Sequence, residues 1–300
     1  MMPPKLRDRS ADLPPGRTGA ALRRLAGLPP RAHLALGLVL LFVVAGVLGP
    51  LLVPFDAAAT SPPDRLLPPG ARLSDGAVAW LGTNQVGQDI LAAVLAGMRT
   101  SLTVALVTVV VAGSVGLLMG LLAGYFGGWA DGVISRLGDI QLAFPSLLLA
   151  IMLAGVLGPS MTNVIIALAV TRWVIFARVV RGSALAVRDR EFVDSARVMG
   201  ASHGRILIHY ILPSCLPPLL VAATVQIGLT MVAEASLSFL GLGVPPSQAS
   251  WGSTIAQGRD YLASAWWIAA APGAALALVV VSIGILGDLL RDASDPMTEL

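Results

Sequence analysis

The sequence predicts an all-α integral membrane protein with about six transmembrane helices. Hydrophobic residues make up 56% of its 300 positions and charged residues only 12%, which is too few charges to cover the surface of a soluble globular domain. The apolar residues are also gathered into several runs that approach or exceed the ~20 residues a helix needs to cross a bilayer. Surface that faces lipid explains both observations.

Residues 1–31 are predicted to form a basic tail. They are rich in proline and glycine and contain Lys5, the only lysine of the chain, together with six arginines. Basic residues beside a first span are typical of the cytoplasmic face of a membrane, so the amino terminus is expected inside the cell. Residues 32–53 are apolar and predict the first transmembrane helix. A signal peptide is the alternative, but the run is long and no A-x-A-like cleavage site follows it.

Residues 54–99 are polar, rich in proline and glycine, and are predicted to be an extracytoplasmic segment. Residues 100–290 then form a transmembrane core, in which Pro145 is expected to bend the third span. Residues 291–300 are predicted to return to the cytoplasm as a short tail. The apolar runs of the core predict five further helices, at residues 100–130, 137–157, 161–180, 219–237 and 263–287.

Residues 182–213 contain the longest polar-rich run between apolar segments and are predicted to form a cytoplasmic helix-turn-helix. Arginines cluster in this loop and just before it, which is typical of the cytoplasmic side. Phe192, Ala196 and Met199 recur at helical spacing and predict one apolar face. The alternative interpretation is an ordinary amphipathic linker that lies on the bilayer surface.

The ends of the two short helices in this loop can also be predicted. Gly200 fits a helix end or a tight bend, because glycine adopts such conformations at little cost. Ser202 is expected to cap the second short helix. Pro213 is expected to end that helix, and Pro217 and Pro218 can open the next one, where a missing N–H is harmless.

The same loop resembles the EAA loop of ABC importer permeases, whose core reads EAA, three residues, G, nine residues and I-x-L-P. Residues 194–196 stand at the EAA positions, Gly200 at the glycine, and Tyr210, Leu212 and Pro213 at the last three. Asp for Glu, Ser for Ala and Tyr for Ile are mild departures. The resemblance implies that the loop docks into a groove on a separate ATPase subunit. The coupling residues expected from it are Glu191, Asp194, Ser195, Ala196, Met199, Gly200, Leu212 and Pro213.

Further motifs resemble one branch of these permeases, the dipeptide, oligopeptide and nickel branch. WLGTNQVGQDILAAVLAGMRTSL is similar to its LGTDxLGRD segment, with Asn84 in place of the usual Asp and Gln88 in place of the usual Arg, while Asp89 is kept. AEASLSFLGLG, the following PP and SWG, QGRDYL and GDLLRDASDP follow in matching order. The resemblance runs from about residue 32 to residue 297.

The resemblance implies a type I ABC importer permease fold with a cytoplasmic EAA coupling loop. It implies one subunit of a bacterial inner-membrane importer for di- or oligopeptides, or for a related small solute such as a nickel chelate. The implied partners are a homologous permease, two ABC ATPase subunits or domains, an extracytoplasmic solute-binding protein and the lipid bilayer, but not nucleic acid. The chain has no Walker A sequence, so ATP and Mg are expected on the partner ATPases, and neither enzyme activity nor a cofactor is expected here.

Two other classes of protein remain as alternatives. An ion-coupled secondary transporter would need no ATPase and would typically show repeated halves with carboxylates or broken helices near the midplane. No such repeat is evident in the sequence. An intramembrane enzyme would need a nucleophile–base or metal pair, and His203 and His209 are better interpreted as interfacial polar residues.

Two charged residues are expected inside the membrane, where charge is costly unless it faces protein or water. Arg172 lies roughly 13 Å before Arg181 along its helix. One interpretation places it on the translocation path. The structural alternative is a pair with a carboxylate on a neighbouring helix, or snorkelling. Glu234 lies roughly 24 Å beyond Pro218, near the outer edge of the membrane. It is expected to hold an outer gate by hydrogen bonding or an arginine pair, or else to top its helix in interfacial water.

Small and aromatic residues give two last expectations. Gly113, Gly116, Gly120 and Gly124 recur every three or four residues and predict close packing of the second helix. Tyr261, Trp266 and Trp267 predict an aromatic belt at the membrane interface.

Overall fold

The fold is a bundle of long helices, and residues 58–89 fold over one end of it. We call these residues the outer segment, after the topology predicted from the sequence. The computed structural model describes residues 30–56 and 58–294. The first helix, α1, spans Pro30–Leu52. After it come a short 3-10 turn at Pro62–Asp64 and a small antiparallel hairpin of β1 (Ala71–Arg72) and β2 (Val78–Ala79).

The second helix, α2, spans Ile90–Phe126 and is 37 residues long. It therefore begins inside the segment for which the sequence predicts an extracytoplasmic loop. The reason is local, because the Asp89 carboxylate accepts a hydrogen bond from the Leu91 N–H at 2.6 Å and caps the helix there. At 1.5 Å per residue the helix is about 55 Å long, so it extends well beyond a ~30 Å hydrocarbon core.

The predicted third span is two helices rather than one. They are α3 (Gly128–Leu142) and α4 (Ser146–Leu157), and they meet at an angle of 85°. Pro145 stands at the break, as expected, because proline has no N–H with which to continue the helical hydrogen bonds. The bend is far sharper than a kink within a single helix.

The next helices build the loop that resembles the EAA motif. They are α5 (Met161–Arg188), α6 (Glu191–Val198) and α7 (His203–Ile206), and a π-helical turn at Leu207–Ile211 leads directly into α8 (Leu212–Phe239). We call residues 189–211 the α5–α8 loop.

Pro213 does not end a helix, contrary to the expectation. It lies in the first turn of α8, and the chain is helical from His203 to Phe239. The π-helical turn shifts the hydrogen-bond pattern just before the proline, so the missing N–H of Pro213 is accommodated there without stopping the chain.

The last elements are α9 (Trp251–Gly258), a 3-10 turn at Arg259–Tyr261 and α10 (Trp267–Ser294). Within the described part of the chain, five helices are long and apolar enough to cross a membrane, or six if the bent α3–α4 pair is one span. This agrees with the predicted all-α membrane fold of about six spans.

The core is organised by the close approach of α2 and α5. A Cβ on Gly116 would lie 2.4 Å from the Phe176 Cβ, and one on Gly124 would lie 2.6 Å from the Ala184 Cβ. Gly120 is equally tight, but a Cβ on Gly113 would meet nothing within 4 Å. The predicted packing role therefore holds for three of the four glycines. These three allow the carboxy-terminal halves of α2 and α5 to pack closely.

Trp267 is not part of an exposed aromatic belt. Only 8% of it is exposed, and its indole N–H donates to the Thr83 carbonyl at 3.1 Å. Trp266, in contrast, is 59% exposed. The two neighbouring tryptophans therefore have different environments. Trp267, the first residue of α10, contacts the outer segment, whereas Trp266, just before the helix, is exposed.

Candidate functional site

The α5–α8 loop is built on a buried apolar base. Val193 and Ala196 of α6 are 0% and 1% exposed. They pack with Ile206, Ile211 and Cys215 from the second half of the loop and the start of α8, and with side chains near the ends of α2 and α5. The loop is therefore a packed extension of these helices.

The opposite side of α6 is exposed and carries apolar side chains among charged ones. Val198 is 89% exposed and Met199 is 77% exposed. Phe192 is half exposed and stacks on the Tyr210 ring at 6.2 Å. Exposed apolar side chains grouped at a protruding tip are typical of a surface that contacts another protein.

This arrangement corrects the predicted apolar face. Phe192, Ala196 and Met199 do not share one face, because Ala196 points into the base while Met199 is exposed at the end of the helix. The buried face of α6 is instead formed by Val193 and Ala196, three positions apart. Met199 follows the last residue of this short helix and belongs to the turn.

The turn after α6 has the geometry expected from the sequence. Gly200 has a φ of 81°, in the left-handed region that favours glycine. The Ala201 N–H donates to the Ala196 carbonyl at 3.0 Å, which closes the end of α6. The Ser202 hydroxyl accepts from the Arg205 N–H at 3.4 Å and caps α7. The predicted bend and the predicted cap are both confirmed.

The remaining predicted coupling residues lie on α6 and at the start of α8. Asp194 accepts from Arg197 at 2.8 Å on the exposed side of α6. Leu212 is partly buried at the start of α8 and Pro213 is exposed beside it. The structure thus brings most of the predicted coupling residues close together in and beside the α5–α8 loop. The exposed ones are Glu191, Asp194, Ser195, Met199, Gly200 and Pro213.

Polar contacts fasten the loop to the end of α2. The Tyr125 hydroxyl and His203 Nδ1 are 2.7 Å apart, and the Arg197 guanidinium lies 5.9 Å from the centre of the Tyr125 ring. Next to the loop, Arg188 at the end of α5 donates to the Gly124 carbonyl at 3.2 Å. Sequence reasoning missed Tyr125, because it lies 78 positions from its partner His203 and belongs to none of the loop motifs.

A second polar layer joins α3 to α5. Arg181 donates through two nitrogens to the Asp131 carboxylate, and Arg178 donates to Asp139 at 2.7 Å. Arg178, Arg181 and Asp139 border a cavity of about 390 Å³. The arginines that the sequence assigns to one side of the membrane are therefore partly neutralised by carboxylates on the bent helix pair.

Arg172 lies apart from this layer and has no carboxylate partner among the described residues. Its Nη1 donates to the Gln226 side-chain oxygen at 2.6 Å, and its Nη2 donates to the Leu229 carbonyl at 3.0 Å. The structure therefore provides neutral acceptors on α8 instead of the carboxylate considered in the structural alternative.

Glu234 is completely buried, with 0% exposure. Its carboxylate accepts from the Ser101 hydroxyl of α2 at 2.7 Å and from the Ser238 hydroxyl at 2.7 Å. The alternative in which it tops the helix in interfacial water is wrong, because the side chain is fully buried and its hydrogen bonds are made inside the protein. The sequence predicted either hydrogen bonds or a pair with an arginine. Among the described residues the partners of Glu234 are serines, so the structure has the hydrogen bonds.

The outer segment is held by a network around Asn84 and Asp64. Asn84 donates to the Gln88 side-chain oxygen at 2.8 Å, so a neutral amide pair stands at the two positions where the sequence departs from the family pattern. Ser61 and Ser74 donate to the Asp64 carboxylate. These hydrogen bonds hold the pKa of Asp64 below its ordinary value.

Comparisons with known proteins agree with this architecture. The dipeptide transport system permease protein of Alkalihalophilus pseudofirmus is 40% identical over 262 residues, which is 87% of this chain and 84% of that protein. The nickel transport system permease protein of Escherichia coli is 37% identical over 88% of this chain and 93% of its own length.

The fold is also found among solved structures. An inward-facing conformation of the MetNI methionine ABC transporter aligns with a TM-score of 0.55 and 21% identity, over 66% of this chain and 95% of the matched chain. Residues 116–299 match the family described as binding-protein-dependent transport system inner membrane component. That match includes the α5–α8 loop, Arg172 and Glu234. The chain therefore belongs to the family of inner-membrane components of binding-protein-dependent transport systems.

Proposed function

We propose that the chain is the membrane-spanning permease subunit of an ATP-driven importer. With a homologous permease it forms the path for di- or oligopeptides, or for a related small solute such as a nickel chelate. The α5–α8 loop carries this proposal, because it presents the exposed Val198 and Met199 on a base that is packed against α2 and α5. The names of the dipeptide and nickel relatives support the range of solutes.

The importer needs ATPase partners, since this chain supplies no Walker A loop. Two ABC ATPase subunits or domains bind ATP and Mg, and one of them receives the tip of the α5–α8 loop in a groove. Apolar side chains at the tip lose contact with water on docking, which favours the contact. The chain itself then has no catalytic residue and holds no cofactor.

Coupling follows from how the loop is attached. Because the base of the loop shares its core with the ends of α2 and α5, a movement of the ATPases is passed to these helices as a rigid-body displacement. Tyr125, His203 and Arg197 add polar contacts to the same junction. The helices then expose the path alternately to the two sides of the membrane, and an extracytoplasmic binding protein supplies solute from outside.

An uptake measurement tests this function. The chain is reconstituted into liposomes with a homologous permease and ABC ATPase subunits from the same organism, and a solute-binding protein is added outside with labelled peptide. We expect uptake that requires both ATP and the binding protein. Uptake driven by an ion gradient without ATP would instead support a secondary transporter and would contradict the proposal.

The orientation is a further part of the proposal, with the amino terminus in the cytoplasm. It is supported by arginines in residues 1–31 and around the α5–α8 loop. In a Cys215→Ser background, we expect an impermeant thiol reagent to label Ser74→Cys in intact cells and to leave Ser202→Cys unlabelled. Both side chains are exposed in the folded chain, so burial would not explain a difference. Labelling of Ser202→Cys from outside would invert the orientation and remove the loop from the ATPases.

A further inference from the structure

Arg172 places a positive charge deep in the membrane-spanning part of the chain. It lies on α5, which begins at Met161, and at 1.5 Å per residue it is about 16 Å from that end. This is close to the middle of a ~30 Å hydrocarbon core. A charge at this depth is rare and costly, and it is normally held by a partner of opposite charge or by water.

The fold leaves this charge largely uncompensated. The two acceptors, the Gln226 amide and the Leu229 carbonyl, are neutral. The Nε of Arg172 is buried and has no hydrogen-bond acceptor among the described residues. Arg181, nine residues further along α5, is instead neutralised by a carboxylate, because its guanidinium donates two hydrogen bonds to Asp131.

Glu234 is the nearest candidate counter-charge along α8, and its carboxylate is engaged elsewhere. It accepts from Ser101 and Ser238. It also lies eight positions beyond Gln226, or about 12 Å along the helix. A separation of that size leaves only a small part of the attraction that two charges in direct contact would have.

The surroundings of Arg172 show where the charge can be hydrated. Part of the side chain remains accessible, and Leu229, whose carbonyl accepts from it, is 49% exposed. A guanidinium without a carboxylate is not stable against lipid. The accessible side of Arg172 must therefore face either water or a partner subunit, and in an importer both lie along the path between the two permeases.

We propose that Arg172 is a substrate-binding residue of the path, and that it attracts solutes carrying a carboxylate. This inference rests on the proposed function of the chain as an importer permease. A guanidinium matches the planar geometry of a carboxylate and remains protonated at all physiological pH values. Free metal cations and amines are repelled by the same charge, so the path favours solutes such as peptides with a free carboxyl terminus.

The experiment measures the sign of the potential beside Arg172. Leu229→Cys is introduced in a Cys215→Ser background of the complete importer in membrane vesicles. Its reaction rates with an anionic and with a cationic methanethiosulfonate reagent are compared. Relative to a site without a nearby charge, we expect the ratio of the anionic to the cationic rate to be about tenfold higher, the factor that Coulomb's law in water gives for reagents of opposite sign ~6 Å from one charge.

Two substitutions of Arg172 provide matched variants. Arg172→Gln should bring the ratio of the two rates to that of an unaffected site, while Arg172→Lys should keep it. Thr60→Cys, exposed in the segment between α1 and α2, is the control site whose ratio should not respond to either change. A ratio at Leu229→Cys that Arg172→Gln leaves unchanged would overturn the proposal. Absence of reaction with both reagents would also overturn it, because the side would then face lipid or protein.

The effect on transport completes the test. For a peptide with a free carboxylate, Arg172→Gln should lower ATP-dependent uptake several-fold, and Arg172→Lys should restore most of it. Equal loss in both variants would assign Arg172 a structural role and contradict the inference. Absence of ATP-dependent uptake by the unsubstituted importer would instead contradict the proposed function, and the reagent ratios would still report on the charge.

Discussion

Gly200→Leu is expected to abolish solute uptake while leaving membrane insertion normal. The φ of 81° at this position is open to glycine but costs a residue with a Cβ about 1–2 kcal/mol. A Cβ there would meet no atom within 4 Å, so the effect comes from the backbone and not from a clash. A penalty of that size lowers the equilibrium ratio of the native turn to other conformations roughly five- to thirtyfold.

The measurement is ATPase activity of the purified importer with and without loaded binding protein. In Gly200→Leu we expect the stimulated activity to be lost, because the tip of the α5–α8 loop no longer fits its groove. Gly204→Leu is the matched control, since Gly204 also has open space around it but does not have a positive φ. Gly200→Asn should recover part of the activity, because asparagine tolerates the left-handed region better than leucine does. Full stimulation in Gly200→Leu would show that this loop does not couple the two processes.

Glu234→Ala is expected to raise basal ATPase activity and to lower uptake. The substitution removes a fully buried side chain and leaves the Ser101 and Ser238 hydroxyls without their acceptor. The truncation leaves a cavity, and each buried hydroxyl left without a partner costs about 1–3 kcal/mol. The contact between α2 and the outer end of α8 is therefore expected to loosen, which would open the outer gate without solute.

Glu234→Gln separates hydrogen bonding from charge. It keeps the size of the side chain and one acceptor oxygen, and each serine hydroxyl can also accept from the new amide. Because the partners of Glu234 are serines, we expect this variant to be milder than Glu234→Ala. Ser101→Ala should show a weaker form of the same change, since it removes one of the two hydrogen bonds. If Glu234→Ala and Glu234→Gln both transport at the normal rate with normal basal ATPase activity, Glu234 has no gating role.

The features that the sequence predicts well depend on neighbours in the chain. Gly200 and Ser202 are examples, because a left-handed bend and a helix cap are formed by a residue and the few residues beside it. Pro145 likewise marks the break between α3 and α4. The number of spans is predictable for a similar reason, since each span needs a continuous apolar run of sufficient length.

The features that the sequence does not predict depend on distant partners. The Tyr125–His203 contact joins residues 78 positions apart, and the Arg172–Gln226 contact joins residues 54 positions apart. The burial of Trp267 depends on the outer segment folding over α10. The continuation of the helix through Pro213 depends on a π-helical turn, for which no local signal stands out.

The sequence by itself thus determined the membrane class, the approximate number of spans, the family resemblance and the turn chemistry of the α5–α8 loop. Only the tertiary structure decided that Ala196 is buried while Met199 is exposed, that Glu234 is held by two serines, and that Arg172 is left with neutral acceptors. The physical reason is that hydropathy and local backbone preference act over a few residues. The environment of a buried charge is instead set by whichever helices the packing brings beside it, and here the close approach of α2 and α5 and the course of α8 set it.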